Sequence, residues 1–181
     1  MKPLRILLLA TLVAVTARAG ADDCIAMIGT GSVGGALGPR FAGLGERIVY
    51  GSRTPEAERI AALVERTGAG TQALAPDAAA RACNTIVLAV PWFAVEATVK
   101  SFGDLAGKLI VDVTNPLSFR DNIVVGAEVP ANSGAEFIQS LAPGARVVKA
   151  FNTIYYTVMA VPETAGGSVS VLISGDDAGA K

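Results

Sequence analysis

The stretch Gly29-Thr30-Gly31-Ser32-Val33-Gly34 holds the residues whose types and spacing best suit chemistry. It is a G-x-G-x-x-G turn between the apolar run Cys24–Ile28 and an amphipathic segment, the strand-turn-helix setting in which such a turn holds a dinucleotide. Gly29 permits the tight turn, and Gly31 has no side chain to hold off a pyrophosphate. Gly34 lets the helix pack close to the strand, and the first helical amides then face the phosphates.

The second strand separates the two nicotinamide cofactors. An NAD site usually has Asp or Glu at the end of that strand, on the ribose hydroxyls. Here the chain reads Ile48-Val49-Tyr50-Gly51-Ser52-Arg53-Thr54, with no acid. Ser52 and Thr54 supply hydroxyls, and Arg53 supplies a planar fork of donors suited to a phosphate. The expectation is NADP(H), with its 2′-phosphate held there. Three further strand ends, Val90-Pro91-Trp92, Asn115-Pro116 and Phe151-Asn152-Thr153, converge where a nicotinamide would sit. Pro91 has no N–H and can lie flat against a nucleotide, whereas Trp92 reads first as a core residue. Tyr155 and Tyr156 read as packing residues. There is no histidine, which removes the commonest general base and metal ligand, so no metal site is expected and no catalytic residue is singled out.

Regularly alternating elements position these residues. Strands are expected at Cys24–Ile28, Arg47–Tyr50, Thr71–Leu74, Thr85–Val90, Lys108–Val113, Arg146–Ala150 and Val169–Ile173. Helices are expected at Val33–Leu44, from a cap at Thr54 with Pro55 at its first position, and at Pro76–Ala82, Trp92–Phe102 and Asn132–Leu141. Strands separated by helices predict an α/β fold, a Rossmann-type parallel sheet with helices on both faces. Leu117–Pro130 reads as the longest irregular stretch, a lid or substrate wall at a strand's carboxyl end.

The 181 residues suffice for one domain and are too few for two full ones. Residues 1–21 read as a secretory signal peptide: Lys2 and Arg5, the apolar run Ile6–Val15, then small residues around Ala17-Arg18-Ala19. The domain is then 22–181, in a chain that reads as stopping short of a helix to cover the sheet. A periplasmic or secreted location is expected, with the cytoplasm as the alternative, and no later run is long enough to span a bilayer. The net charge of −1 lacks the basic footprint of a nucleic-acid binder. Cys24 and Cys83 read as small buried residues, with pairing as the alternative in an exported protein.

Taken together, Ile28–Gly34, Tyr50-Gly51-Ser52-Arg53, Ala89-Val90-Pro91-Trp92, Asp112–Leu117 and Val148–Thr153 resemble the coenzyme F420-dependent NADP oxidoreductase family, and are similar to the N-terminal reductase domains of the STEAP metalloreductases. The resemblance extends from Cys24 to Lys181. It implies that Thr30, Ser32 and Val33 join the glycines around the pyrophosphate. It also implies that Ser52 and Arg53 hold the 2′-phosphate, and that Val90, Pro91 and Ala150 line the nicotinamide side. The expected activity is hydride transfer between NADP(H) and a small-molecule acceptor, F420-like or a flavin, with a homodimer allowed for. The alternatives are a dinucleotide-binding module or sensor without turnover, and a dehydrogenase of small carbonyl compounds using Lys149 or Tyr155 as proton donor.

Overall fold

The computed structural model describes residues 22–121 and 123–181. The expected signal segment, 1–21, lies outside the described residues. Six parallel strands form one sheet in the order β3-β2-β1-β4-β5-β8. They are β1 (Asp22–Ile28), β2 (Ile48–Gly51), β3 (Gln72–Leu74), β4 (Cys83–Leu88), β5 (Leu109–Asp112) and β8 (Arg146–Lys149). The two remaining strands, β6 (Leu117–Arg120) and β7 (Ile123–Gly126), form a separate antiparallel hairpin.

Alternation along the strands divides the core in two. Ala26, Ile28, Val49, Ile86 and Leu88 face α3 (Pro76–Ala82), α4 (Val95–Ser101) and α5 (Gly134–Leu141). Met27, Ile48, Tyr50 and Val87 face α1 (Ser32–Gly43), α2 (Glu58–Thr67) and α6 (Tyr156–Ala160). Both faces of the central strands are therefore covered, as a parallel sheet requires.

Pairing β1 with both β2 and β4 brings the carboxyl ends of three strands together. The Gly29 amide donates to the Gly51 carbonyl (3.1 Å), and the Ala89 amide to that of Ile28 (2.8 Å). The order reverses beside β1, leaving there the crevice in which open α/β sheets take ligands.

Several expectations need correction. Thr54-Pro55 does not start a helix: Thr54 opens a turn, accepting the Ala57 amide at 3.1 Å, and α2 begins at Glu58. Leu117–Pro130 is not wholly irregular, because it contains the β6–β7 hairpin. Val169–Ile173 is not a strand. The chain meets β8 only through an antiparallel bridge between Lys149 and Ser174, and Leu172 and Ile173 stay exposed. The stretch from Trp92 is a 3-10 turn to Ala94 and then α4. The short helix α6 had no sequence signal.

Cys24 and Cys83 are bonded to each other, contrary to their reading as merely small buried residues. Their Cα atoms lie 5.0 Å apart, within the span a disulfide bridges. Neighbouring parallel strands create that proximity, because Asp22 is in register with Cys83 and Ile25 with Thr85. The bond staples β1 to β4 at the foot of the sheet, away from the crevice.

Candidate functional site

Each glycine of the turn does a separate steric task. Gly29 has φ +107°, in the left-handed region, and a Cβ there would lie 2.3 Å from the Ala89 carbonyl oxygen. At Gly34 a Cβ would lie 1.9 Å from the Gly29 carbonyl oxygen, so helix α1 can approach the turn only without a side chain. Gly31 differs, having an ordinary φ of −83° and no atom within 4 Å of its would-be Cβ. The space over Gly31 is open crevice.

That crevice has a volume of about 620 Å³. Gly29, Thr30 and Gly31 form its floor, Ser52, Arg53 and Thr54 one end, and Val90 and Pro91 the other side. Eight of the residues singled out by sequence therefore line one cavity. No carboxylate lines it. Ser52 is buried, and its hydroxyl accepts the Thr54 amide at 3.2 Å, which fixes the loop after β2. Arg53 is exposed at the rim.

The remaining expected residues lie around this cavity. Ser32 opens α1 and faces an adjoining groove. Val33 is half-buried and packs into the core on the α1 face, and Gly34 is buried. Asn115, Pro116 and Ala150 do not line the cavity. They stand farther along the sheet, past the carboxyl ends of β5 and β8, where the Asn115 side-chain amide donates to the Asn152 carbonyl (2.8 Å) and the Ala150 amide to that of Asp112 (3.1 Å).

Beneath them sits a buried ion pair. Asp112 is fully buried. Its carboxylate accepts Lys149 Nζ at 2.8 Å, the Thr114 amide at 2.8 Å and the Thr114 hydroxyl at 2.7 Å. Lys149 also donates to the Thr114 carbonyl. These bonds occupy the Lys149 ammonium in bracing the β5 and β8 ends. Phe151, next along, has φ +62°, an uncommon conformation for an aromatic residue and one that collects at functional sites.

Among the cavity residues that escaped the sequence reading are Phe93 and Arg59. Phe93 is 86% exposed and lines the crevice beside Pro91. Trp92 turns the other way, its ring 5.8 Å from that of Phe137 and its Nε1 donating to the Glu128 carbonyl at 3.3 Å, which agrees with its reading as a packing residue. Arg59, in the first turn of α2, reaches across the crevice to the hydroxyls of Thr30 (3.4 Å) and Thr54 (3.5 Å). A sequence signal for it existed. A cation is disfavoured at a helix N-terminus, so an arginine there invites a reason.

Tyr50 lies under this region, and its hydroxyl is 2.8 Å from that of Thr67. Burial pushes its pKa up, against smaller opposing effects of the Thr67 bond and the Arg66 charge. At Tyr155 the hydrogen bond with Tyr156 raises the pKa, so neither Tyr50 nor Tyr155 is tuned toward proton loss near neutrality.

Comparison with known proteins agrees with this fold. The family model described as NADP oxidoreductase, coenzyme F420-dependent, matches residues 24–116. The metalloreductase STEAP3 of Rattus norvegicus is 32% identical over 158 residues, covering 87% of this chain and 30% of that protein. The F420-dependent NADP reductase of Methanothermobacter thermautotrophicus is 35% identical over 147 residues, covering 72% of this chain and 61% of that protein. The chain thus spans about a third and about three fifths of the length of these two curated relatives. A solved structure from Arthrobacter sp. FB24, provisionally assigned as an F420-dependent NADP-reductase, superposes with a TM-score of 0.79 at 32% identity, covering 88% of this chain and 76% of that one. With the glycine turn, the acid-free second strand and the sheet order all in place, this chain belongs to the coenzyme F420-dependent NADP oxidoreductase family.

Proposed function

We propose that this chain binds NADPH in the crevice over Gly31 and passes hydride from it to a flavin-like or deazaflavin acceptor of the F420 type. One observation carries the reading: a glycine with open space above it in a cavity that has arginines and hydroxyls at one end and no carboxylate. Gly29, Thr30, Gly31, Ser32, Val33 and Gly34 would frame the pyrophosphate. Ser52, Arg53 and Thr54 would hold the 2′-phosphate, joined by Arg59. Val90, Pro91, Asn115, Pro116 and Ala150 would stand on the nicotinamide side. The nicotinamide supplies the hydride. The protein's task is alignment of two rings and exclusion of water, which needs no acid or base.

Arg53→Ala is expected to weaken NADPH by about 1.5–3 kcal/mol, the loss of a charge-assisted contact, and to leave NADH nearly unchanged. Calorimetric titration with both cofactors checks this, and equal losses would place the 2′-phosphate elsewhere. Purified protein should oxidise NADPH with at least one of F420, FMN and FAD.

A second reading is a dinucleotide-binding module without turnover of its own. The crevice lining favours it, since Asn115, Pro116 and Ala150, expected on the nicotinamide side, do not line the cavity. Tight NADPH binding with no oxidation by any of these acceptors would decide for it.

We also propose that the protein acts outside the cytoplasm, as a soluble periplasmic or secreted domain. The Cys24–Cys83 bond supports this, since disulfides persist in oxidising compartments. N-terminal sequencing of the native protein should then begin at Gly20 or Asp22. An intact Met1 or Lys2 would restore a cytoplasmic reductase.

A further inference from the structure

Beside the crevice runs a groove with two cations, Arg40 and Arg66, that the proposed function leaves without a task. It lies between facing stripes of two helices, Gly35, Pro39 and Arg40 on α1 and Arg59, Leu63 and Arg66 on α2, and has a volume of about 500 Å³. Three guanidiniums line it and no carboxylate does. Among the described residues, none of the three belongs to an ion pair.

Three details separate this groove from an ordinary solvated helix face. The first is Pro39, which lies inside α1 and has no N–H for the Gly35 carbonyl one turn back. Arg66 Nη2 donates to that carbonyl instead, at 3.4 Å, so the guanidinium is fixed over the groove with other donors to spare. The second is Arg59, held between the Thr30 and Thr54 hydroxyls where the groove and the crevice meet. The third is Gly35. Unlike Gly34 it meets no steric demand, since its Cβ would contact only Arg66 Nη2, at 3.8 Å. Glycine within a helix costs about 0.5–1 kcal/mol relative to alanine, and here it keeps the groove floor clear.

We infer that this groove is a second oxyanion site, taking a phosphate-type group on Arg40, Arg59 and Arg66, and that its occupant competes with the 2′-phosphate of NADPH for Arg59. The competition rests on the proposed function; the groove itself does not. Arginine forks match phosphate oxygens. The apolar floor at Leu63 and Ala36 also admits a phosphate carried on an organic body.

Tripolyphosphate, titrated calorimetrically into the whole protein at fixed ionic strength, tests the site. Wild type should bind it saturably. Arg40→Gln and Arg66→Gln should each weaken it about tenfold or more, and should leave NADH and, without the anion, NADPH binding unchanged. Gly35→Leu should act likewise by filling the groove, with circular dichroism confirming the fold. No binding by wild type, or undiminished binding by the Arg40→Gln/Arg66→Gln double variant, overturns the site. Saturating tripolyphosphate should weaken NADPH and spare NADH. Equal weakening of both would put the anion on the glycine turn and overturn the separate site, and no effect on NADPH would overturn the shared use of Arg59. If Arg53→Ala shows no preference between cofactors, the NADPH reading fails while the loss of anion binding in Arg66→Gln still stands. FMN against riboflavin separates the sources. Binding of FMN alone that is tighter than tripolyphosphate and lost in Arg66→Gln points to an organic phosphate; no gain over tripolyphosphate points to the free anion.

Discussion

Gly31→Val is expected to weaken dinucleotide binding about a hundredfold while leaving the fold and its stability unchanged. The effect is steric and specific to this position. The backbone at Gly31 is one that any residue adopts, and nothing lies within 4 Å of the Cβ position, so valine enters without strain. Its methyls then occupy the space the ligand needs. Overpacking of a tight contact costs up to about 3 kcal/mol, or roughly a hundredfold in Kd, and NADPH and NADH should suffer alike. Gly34→Val is the contrast. With a Cβ only 1.9 Å from the Gly29 carbonyl oxygen, it should lose stability as well as binding. Thermal unfolding and titration on the same samples check both, and unchanged affinity in folded Gly31→Val would mean that the nucleotide lies elsewhere.

Replacing both Cys24 and Cys83 by alanine should have the opposite signature, a large loss of stability with cofactor affinity intact. The bond closes a loop across a separation of 59 residues. In the chain-entropy account a loop of that length restricts the unfolded chain by about 4 kcal/mol. Against a typical domain stability of about 5–15 kcal/mol, that is a substantial share. Both sulfurs are buried at the foot of β1 and β4, whereas the crevice opens beyond the carboxyl ends of the same strands. Urea denaturation should show the loss, and titration of the double variant at low temperature should return the wild-type Kd. A stability loss below about 1 kcal/mol would mean that the unfolded chain is already compact there.

The glycine turn was legible in the sequence because each of its glycines answers a demand set by nearby backbone or by open space. The same is true of the acid-free end of β2. What escaped reading depends on contacts distant in sequence. Cys24 and Cys83 become neighbours only once β1 pairs with β4, and that pairing is a property of the sheet order rather than of either strand. Arg59 points to the site only because α2 starts at Glu58, three residues after the expected Pro55. The hairpin was readable in principle. The alternating stretch Leu117–Arg120 and the apolar run Ile123-Val124-Val125 flank Asp121-Asn122, and Asp121 takes φ +51°, the positive-φ chemistry of tight turns. The predicted last strand failed for a different reason. Val169–Ile173 has strand composition, but its chain reaches β8 only at Ser174, and composition does not supply a partner.

The central place of β1 also governs how this domain can be tethered. The strand enters the sheet at Asp22 and reaches the crevice after Ile28. Seven residues at about 3.3 Å each separate the two ends by roughly 20 Å. Whatever is attached ahead of Asp22, whether an affinity handle or a surface to which the protein is coupled, joins the pole opposite Gly29. The mouth of the cavity is then presented outward to diffusing small molecules, and a coating of the protein immobilised through this end should remain addressable from solution.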